Sequence, residues 1–199
     1  AGDIGTAVTR QLAHEGHSVA LGFHNAPERA ASLKAEFSGS KISAVQIDVT
    51  DLDACKRAFK SARSDVGEIH GVINTAGVTD GAAVLQMSAD SIHRILDTNL
   101  VGAMNVTRAV ALGLMKSGGG AVVHVSSAVS QSAVAGLAVY AASKAGLEAF
   151  TRVAAIELAR FKVTANCVVP GFIAGGATAA SGSAWMAAVA DDIPIGRVG

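Results

Sequence analysis

The strongest constraint in this chain is the alternation of two periodicities. Apolar runs at 17–23, 41–49, 69–77, 120–127 and 163–171 alternate with helical stretches at 4–16, 26–37, 51–67, 88–118 and 138–161. The runs are apolar at consecutive rather than alternate residues, which marks strands covered on both faces. Strand and helix in regular alternation build a parallel sheet with helices on either side. The chain therefore reads as α/β, a doubly wound parallel sheet in three αβα layers. Local signals agree: Pro27 suits the first turn of its helix, and Gly67 closes the helix that acidic residues open at 51 and 53. With no repeat or polar linker to divide it, 1–199 reads as a single domain. In such a sheet the opening glycine turn should follow a central strand, and "DDIPIGRVG" stops short of a closing helix and strand. The expectation is a fragment lacking its first strand and its C-terminal end, with the neighbours of that strand left unpaired.

Composition removes several function classes. Lysine plus arginine and aspartate plus glutamate each number 16, so the formal net charge is zero. With no basic stripe, nucleic acid is not an expected partner. With no long apolar run and no basic amphipathic segment, neither is a membrane. Cys55 and Cys167 are far apart and outside any CxxC spacing, which reads as buried thiols in a reducing cytoplasm. His14 and His17 have no acidic cluster beside them, so no metal site is expected.

The polar residues that interrupt the pattern carry the chemistry. "VYAASKAG" holds the only tyrosine, Tyr140, with Lys144 four residues on. Residues at that spacing share a helix face. An ammonium group beside a phenol favours the phenolate, which makes the pair a candidate acid/base; taken alone it equally fits an ordinary helix. "AGDIG" keeps Gly2, Ile4 and Gly5 of a glycine turn that lets a phosphate approach a helix N-terminus. An acid about 20 residues beyond such a turn would bind the ribose hydroxyls of NAD. Here the chain has His24 and Asn25, followed by Arg29, groups suited to a 2′-phosphate, so NADP is favoured. Asp48 and Val49, Asn74 to Gly77, Ser126 and Ser127, and Pro170 and Gly171 all stand at C-terminal strand ends, the edge where such sheets bind ligands. Asn99 falls inside a helical stretch, where its amide needs a partner.

The order of GDIG, DV, NTAG, N, S, YxxxK and PG resembles the short-chain dehydrogenase/reductase family over essentially the whole chain, and Ser127 precedes Tyr140 by 13 residues, as that family's catalytic serine does. "PGFIA" and "IPIGR" are most similar to beta-ketoacyl-acyl-carrier-protein reductases. The resemblance implies a Rossmann-type fold and an NADPH-dependent ketoreductase acting on a 3-oxoacyl thioester or a related small ketone. It implies Tyr140 as general acid and Lys144 as the group that lowers its pKa and binds the nicotinamide ribose. Ser127 would hold the substrate carbonyl, and Asn99 would fix its kinked helix and a water that reprotonates Lys144. Hydride would come from the 4-pro-S face. Asp48 and Val49 would contact adenine; Asn74, Ala76 and Gly77 would line the cofactor; Pro170, Gly171 and Ile173 would flank the nicotinamide. A homodimer or homotetramer and an acyl carrier protein as partner are also implied.

The chain departs from the family pattern in places. Asp3 stands where a glycine is usual, and its carboxylate must turn away from a pyrophosphate. Gly2 replaces a residue often basic in NADP-dependent members, Gly175 a threonine that binds the carboxamide, and Thr75 an asparagine. "KSGGG" lacks a carrier-docking basic residue, for which Arg108, Lys116 and Lys162 are substitutes. A glycine- and serine-rich segment at 174–193 is expected to form a substrate lid. The alternatives are a secondary-alcohol, sugar or steroid dehydrogenase with the same residues run oxidatively, and a nucleotide-binding sensor without catalysis.

Overall fold

The computed structural model describes residues 2–37, 39, 41–175, 190–191 and 193–199. Helix and strand alternate as α1 (Asp3–His14), β1 (Val19–Phe23), α2 (Pro27–Glu36), β2 (Ile42–Gln46), α3 (Leu52–Val66) and β3 (Gly71–Asn74). There follow α4 (Ala89–Leu96), α5 (Gly102–Lys116), β4 (Gly120–Val125), α6 (Ala138–Ala159) and β5 (Val163–Val168). Caps set several boundaries. The Asp51 carboxylate accepts from the Asp53 and Ala54 amides at 2.7 and 3.1 Å and starts α3. Gly67, at φ 93°, ends it with its N–H on Arg63 O.

All strand pairings are parallel, but the sheet lies in two parts, β1–β2 and β3–β4–β5. The edges of β1 and β3 do not pair with each other. Between them lies a cavity of about 690 Å³, lined by Leu21, Val45, Ile69, Val72 and Val106 among others. The neighbours expected to be left unpaired are thus unpaired.

Each part has its own core. On β1, Leu21 packs with Ala30 and Leu33 of α2, and on β2, Val45 packs with Ala58 and Ala62 of α3. In the larger part Val110 and Leu114 of α5 close over Val122 and Val163. The parts are joined through helices: α3 packs on α5. The Asn105 amide of α5 donates to Val49 O at 3.0 Å and Thr50 O at 3.2 Å in the loop after β2.

One element differs from the sequence reading. The stretch 88–118 is not one helix, because a π-helical turn, Asp97–Val101, separates α4 from α5. Such widened turns concentrate at functional sites. Here the turn carries the buried Asn99.

Candidate active site

Three elements converge at the C-terminal edge of β3, β4 and β5. The π turn delivers Asn99, the end of β4 delivers Ser127, and α6 delivers Tyr140 and Lys144 one turn apart. Asn99 is 1% exposed. Its amide donates to Val78 O at 2.9 Å and to Ser143 Oγ at 3.1 Å, while its Oδ1 accepts the Val78 N–H at 2.8 Å. It thereby clips the loop after β3 to α6, where Ser143 donates on to Tyr140 O at 2.7 Å. The amide has the partner that a polar residue in a helical stretch requires.

Lys144 is 4% exposed, and its Nζ donates to Val125 O at 2.8 Å. Burial pushes this ammonium group down to about 8, with the neighbouring Cys167 working in the opposite direction. Nζ lies 5.6 Å from the centroid of the Tyr140 ring. Burial raises the pKa of the phenol itself, and the neighbouring Ser127 side chain draws it down. Burial dominates the phenol, and the ammonium group is held against a backbone carbonyl.

The other sequence candidates fall in two groups. Asn74 ends β3 buried, with Oδ1 accepting the Ala76 N–H at 3.1 Å. A side chain at Gly77 would sit 3.4 Å from both Asn99 Oδ1 and Lys144 Nζ, so the chain passes close to both groups there. Pro170 O accepts the Ala128 N–H at 2.8 Å, tying the strand-β5 exit, with Gly171 and Ile173 exposed beyond it, to the Ser127 turn. The second group lies on the smaller part. Gly2 caps α1, Ile4 is exposed and Gly5 buried, while His24 and Asn25 are exposed after β1. Asp48 turns into its own loop: one carboxylate oxygen accepts the Thr50 hydroxyl at 2.7 Å and the Thr50 N–H at 2.9 Å, which hold its pKa low. Val49 follows it, bound through its carbonyl to Asn105.

Asp3 does turn outward, into an ion pair with Arg29. Arg29, read as a candidate for a 2′-phosphate, is therefore engaged by a carboxylate. Asp3 also explains Gly175, whose φ is +97° and where a Cβ would stand 2.9 Å from Asp3 Oδ2. A threonine at that position would be strained and crowded. Of the expected lid, 176–189 and 192 lie outside the described residues.

Two polar groups escaped the sequence reading. His124 of β4 is fully buried; its Nδ1 stands 3.4 Å from Asn74 Nδ2 and its Nε2 3.1 Å from Thr107 Oγ1. Thr107 donates its own proton to Ala103 O, so the network assigns the Nε2–H tautomer, and burial pushes the ring down to about 4. Its signal was a polar residue inside the apolar run "GAVVHVSS". The other is Glu148, one turn beyond Lys144, whose partners lie on a distant strand end.

Known proteins bear the same stamp. The family model described as short chain dehydrogenase matches residues 1–185. An acetoacetyl-CoA reductase of Cupriavidus necator is 36% identical across 100% of this chain and 81% of its own length. A 3-oxoacyl-(acyl-carrier-protein) reductase of Staphylococcus aureus is 32% identical across 98% of this chain and 80% of its own. Among solved structures, a gluconate 5-dehydrogenase from Burkholderia cenocepacia, in complex with NADP and tartrate, has a TM-score of 0.89 at 28% identity. That match covers 98% of this chain and 77% of the other.

Proposed function

The chain belongs to the short-chain dehydrogenase/reductase family and is an NAD(P)-dependent oxidoreductase acting on C=O and CH–OH groups; within that class we propose that it is an NADPH-dependent ketoreductase of 3-oxoacyl thioesters or related small ketones. The observation that carries this reading is the convergence of Asn99, Ser127, Tyr140 and Lys144 at one strand edge, with Asn99 and Lys144 held there by hydrogen bonds. The relatives' names supply the substrate class.

The residues fit the cofactor. Lys144 is a buried ammonium group with three N–H donors, yet among the described residues only Val125 O accepts from it. A ribose hydroxyl beside it would satisfy a second donor. Nicotinamide, when bound, supplies the hydride. Tyr140 then gives its phenolic proton to the substrate oxygen as negative charge develops there, and a pKa raised by burial suits a donor that must stay protonated at neutral pH. Ser127, beside that phenol, holds the same oxygen as the second arm of a small oxyanion site. Lys144 holds the ribose and stabilises the phenolate left behind. Asn99 keeps the loop after β3 and helix α6 in register. At the other end of the cofactor, His24 and Asn25 would meet the adenosine 2′-phosphate, and Asp48 and Val49 would meet the adenine.

The same reading includes a homodimer or homotetramer, supported by the exposed apolar residues Leu112 of α5 and Val153 and Ile156 of α6. It places the protein in the cytoplasm, where its free thiols Cys55 and Cys167 stay reduced. No described helix is long and apolar enough to cross a membrane. If the thioester is carried by an acyl carrier protein, Arg108, Lys116 and Lys162 supply the basic contacts.

The test is nicotinamide oxidation with acetoacetyl thioester, comparing NADPH with NADH and wild type with Tyr140→Phe. Turnover is expected with NADPH and should drop about 10²–10⁴-fold in the variant. Tight cofactor binding without reduction of any ketone, or a Tyr140→Phe protein of undiminished rate, would leave alcohol oxidation or a non-catalytic nucleotide sensor in its place.

A further inference from the structure

Helix α6 presents a third polar side chain to the site. Tyr140, Lys144 and Glu148 follow at intervals of four and so lie along one face of the helix. The first two face the reacting groups. Glu148 reaches under the turn that carries Ser127: its Oε1 accepts the Ser126 hydroxyl at 2.7 Å and the Ser130 hydroxyl, and its Oε2 accepts the Gln131 amide at 3.3 Å.

Those three donors bracket Ser127 on both sides. Ser130 Oγ also bonds Ser127 O at 2.7 Å, and Ser126 Oγ leans 3.4 Å towards Lys144 O. The short 3₁₀ turn Ala128–Ser130 begins at Ser127 itself. A carboxylate that gathers so many donors is fixed by them; burial would raise its pKa, and the hydrogen bonds outweigh burial and keep it ionised. A solvated surface glutamate would have none of these partners.

We propose that Glu148 is a positioning residue of the reaction, clasping the turn 126–131 to α6 so that the Ser127 hydroxyl keeps its place beside the Tyr140 phenol. The proposal rests on the ketoreductase reading for its kinetic consequence. Without the clasp, the Ser127 turn is held to the rest of the site chiefly by the backbone bonds Ser126 N to Val168 O and Ala128 N to Pro170 O, both 2.8 Å, which run to β5 and its exit and not to the helix that carries the acid. The distance between Ser127 and Tyr140 would then depend on how two separately held elements drift.

A double-mutant cycle with a second readout decides the matter. Glu148→Ala should lower kcat of the complete enzyme with acetoacetyl thioester and NADPH about ten- to a hundredfold, the size of effect expected from a misplaced catalytic group. Glu148→Gln, whose amide oxygen still accepts from Ser126 and Ser130, should keep most of the rate. In a Ser127→Ala background there is no hydroxyl left to place, so Glu148→Ala should cost less than about threefold. Amide hydrogen exchange, measured without any substrate, should quicken at 126–131 in Glu148→Ala and stay as in wild type over β4 and α6. Equal losses in both backgrounds, or unchanged exchange at 126–131, would overturn the proposal. If the wild-type protein reduces no ketone, the functional reading has failed, and exchange at 126–131 alone then decides whether Glu148 holds the Ser127 turn.

Discussion

Lys144 occupies a position that the fold would fill more comfortably with a hydrocarbon. Its ammonium group is buried beside one acceptor, and its pKa falls to about 8 from the 10.5 of a free lysine. The unfolded chain therefore binds a proton that the folded one resists. Stability from this group is intact above the free value, is lost as pH falls from about 10.5 towards about 8, and stays lost at neutral pH. That shift corresponds to about 3 kcal/mol. Lys144→Met is thus expected to abolish turnover while raising unfolding stability at pH 7, and its advantage should shrink as pH rises to 10. Urea unfolding of both proteins at pH 7, 8.5 and 10 measures this, and a constant difference would refute it. The sequence showed the Tyr140–Lys144 spacing because helix geometry is local. It could not show how far burial raises the phenol, since burial is decided by residues distant along the chain. Glu148 was hidden for the same reason: its partners are 17 to 22 residues away along the chain.

At the scale of elements, the join between α4 and α5 decides how the site is built. The run 88–118 has continuous helical periodicity, and only Asn99, a polar residue wanting a partner, hints at the π turn. The Asn99 amide finds that partner in Val78, 21 residues away. The ladder resumes at Gly102, where a Cβ would stand 2.7 Å from Val49 Cγ2 and 3.3 Å from Asp97 O. Gly102→Ala must push α5 away from the loop after β2 or distort the π turn. A destabilisation of about 1–3 kcal/mol is expected from such overpacking. Thermal unfolding checks it, and a variant as stable as wild type would show that the helix can shift freely. Turnover should fall with it, because the same turn carries Asn99.

Across the whole molecule, order and class of elements were legible from alternation alone, and so were the two unpaired neighbours in the sheet. What alternation does not give is where stability concentrates. In β3–β4–β5 the middle strand is paired on both sides, and its Val122 is buried beside Val163 of β5. The turn Val84–Gln86 buries none of its residues, and Leu85 is fully exposed. Native-state hydrogen exchange should find the amides of β4 protected to the free energy of global unfolding, and those of 84–86 released by a much smaller opening. Equal protection at both places would show one cooperative unit.

The Asn105 contacts have a further consequence for anything that binds along the strand ends. Asn105 stands six residues after Asn99, on the helix that the π turn opens, and its amide holds the Val49 and Thr50 carbonyls. A long ligand gripped at Val49 and at Lys144 would have both grips keyed to one helix, Asn105 fixing the first and Asn99, through Ser143, the second. That helix is a shared datum: the spacing of the two grips follows from a short run of its backbone and not from the loops that carry them.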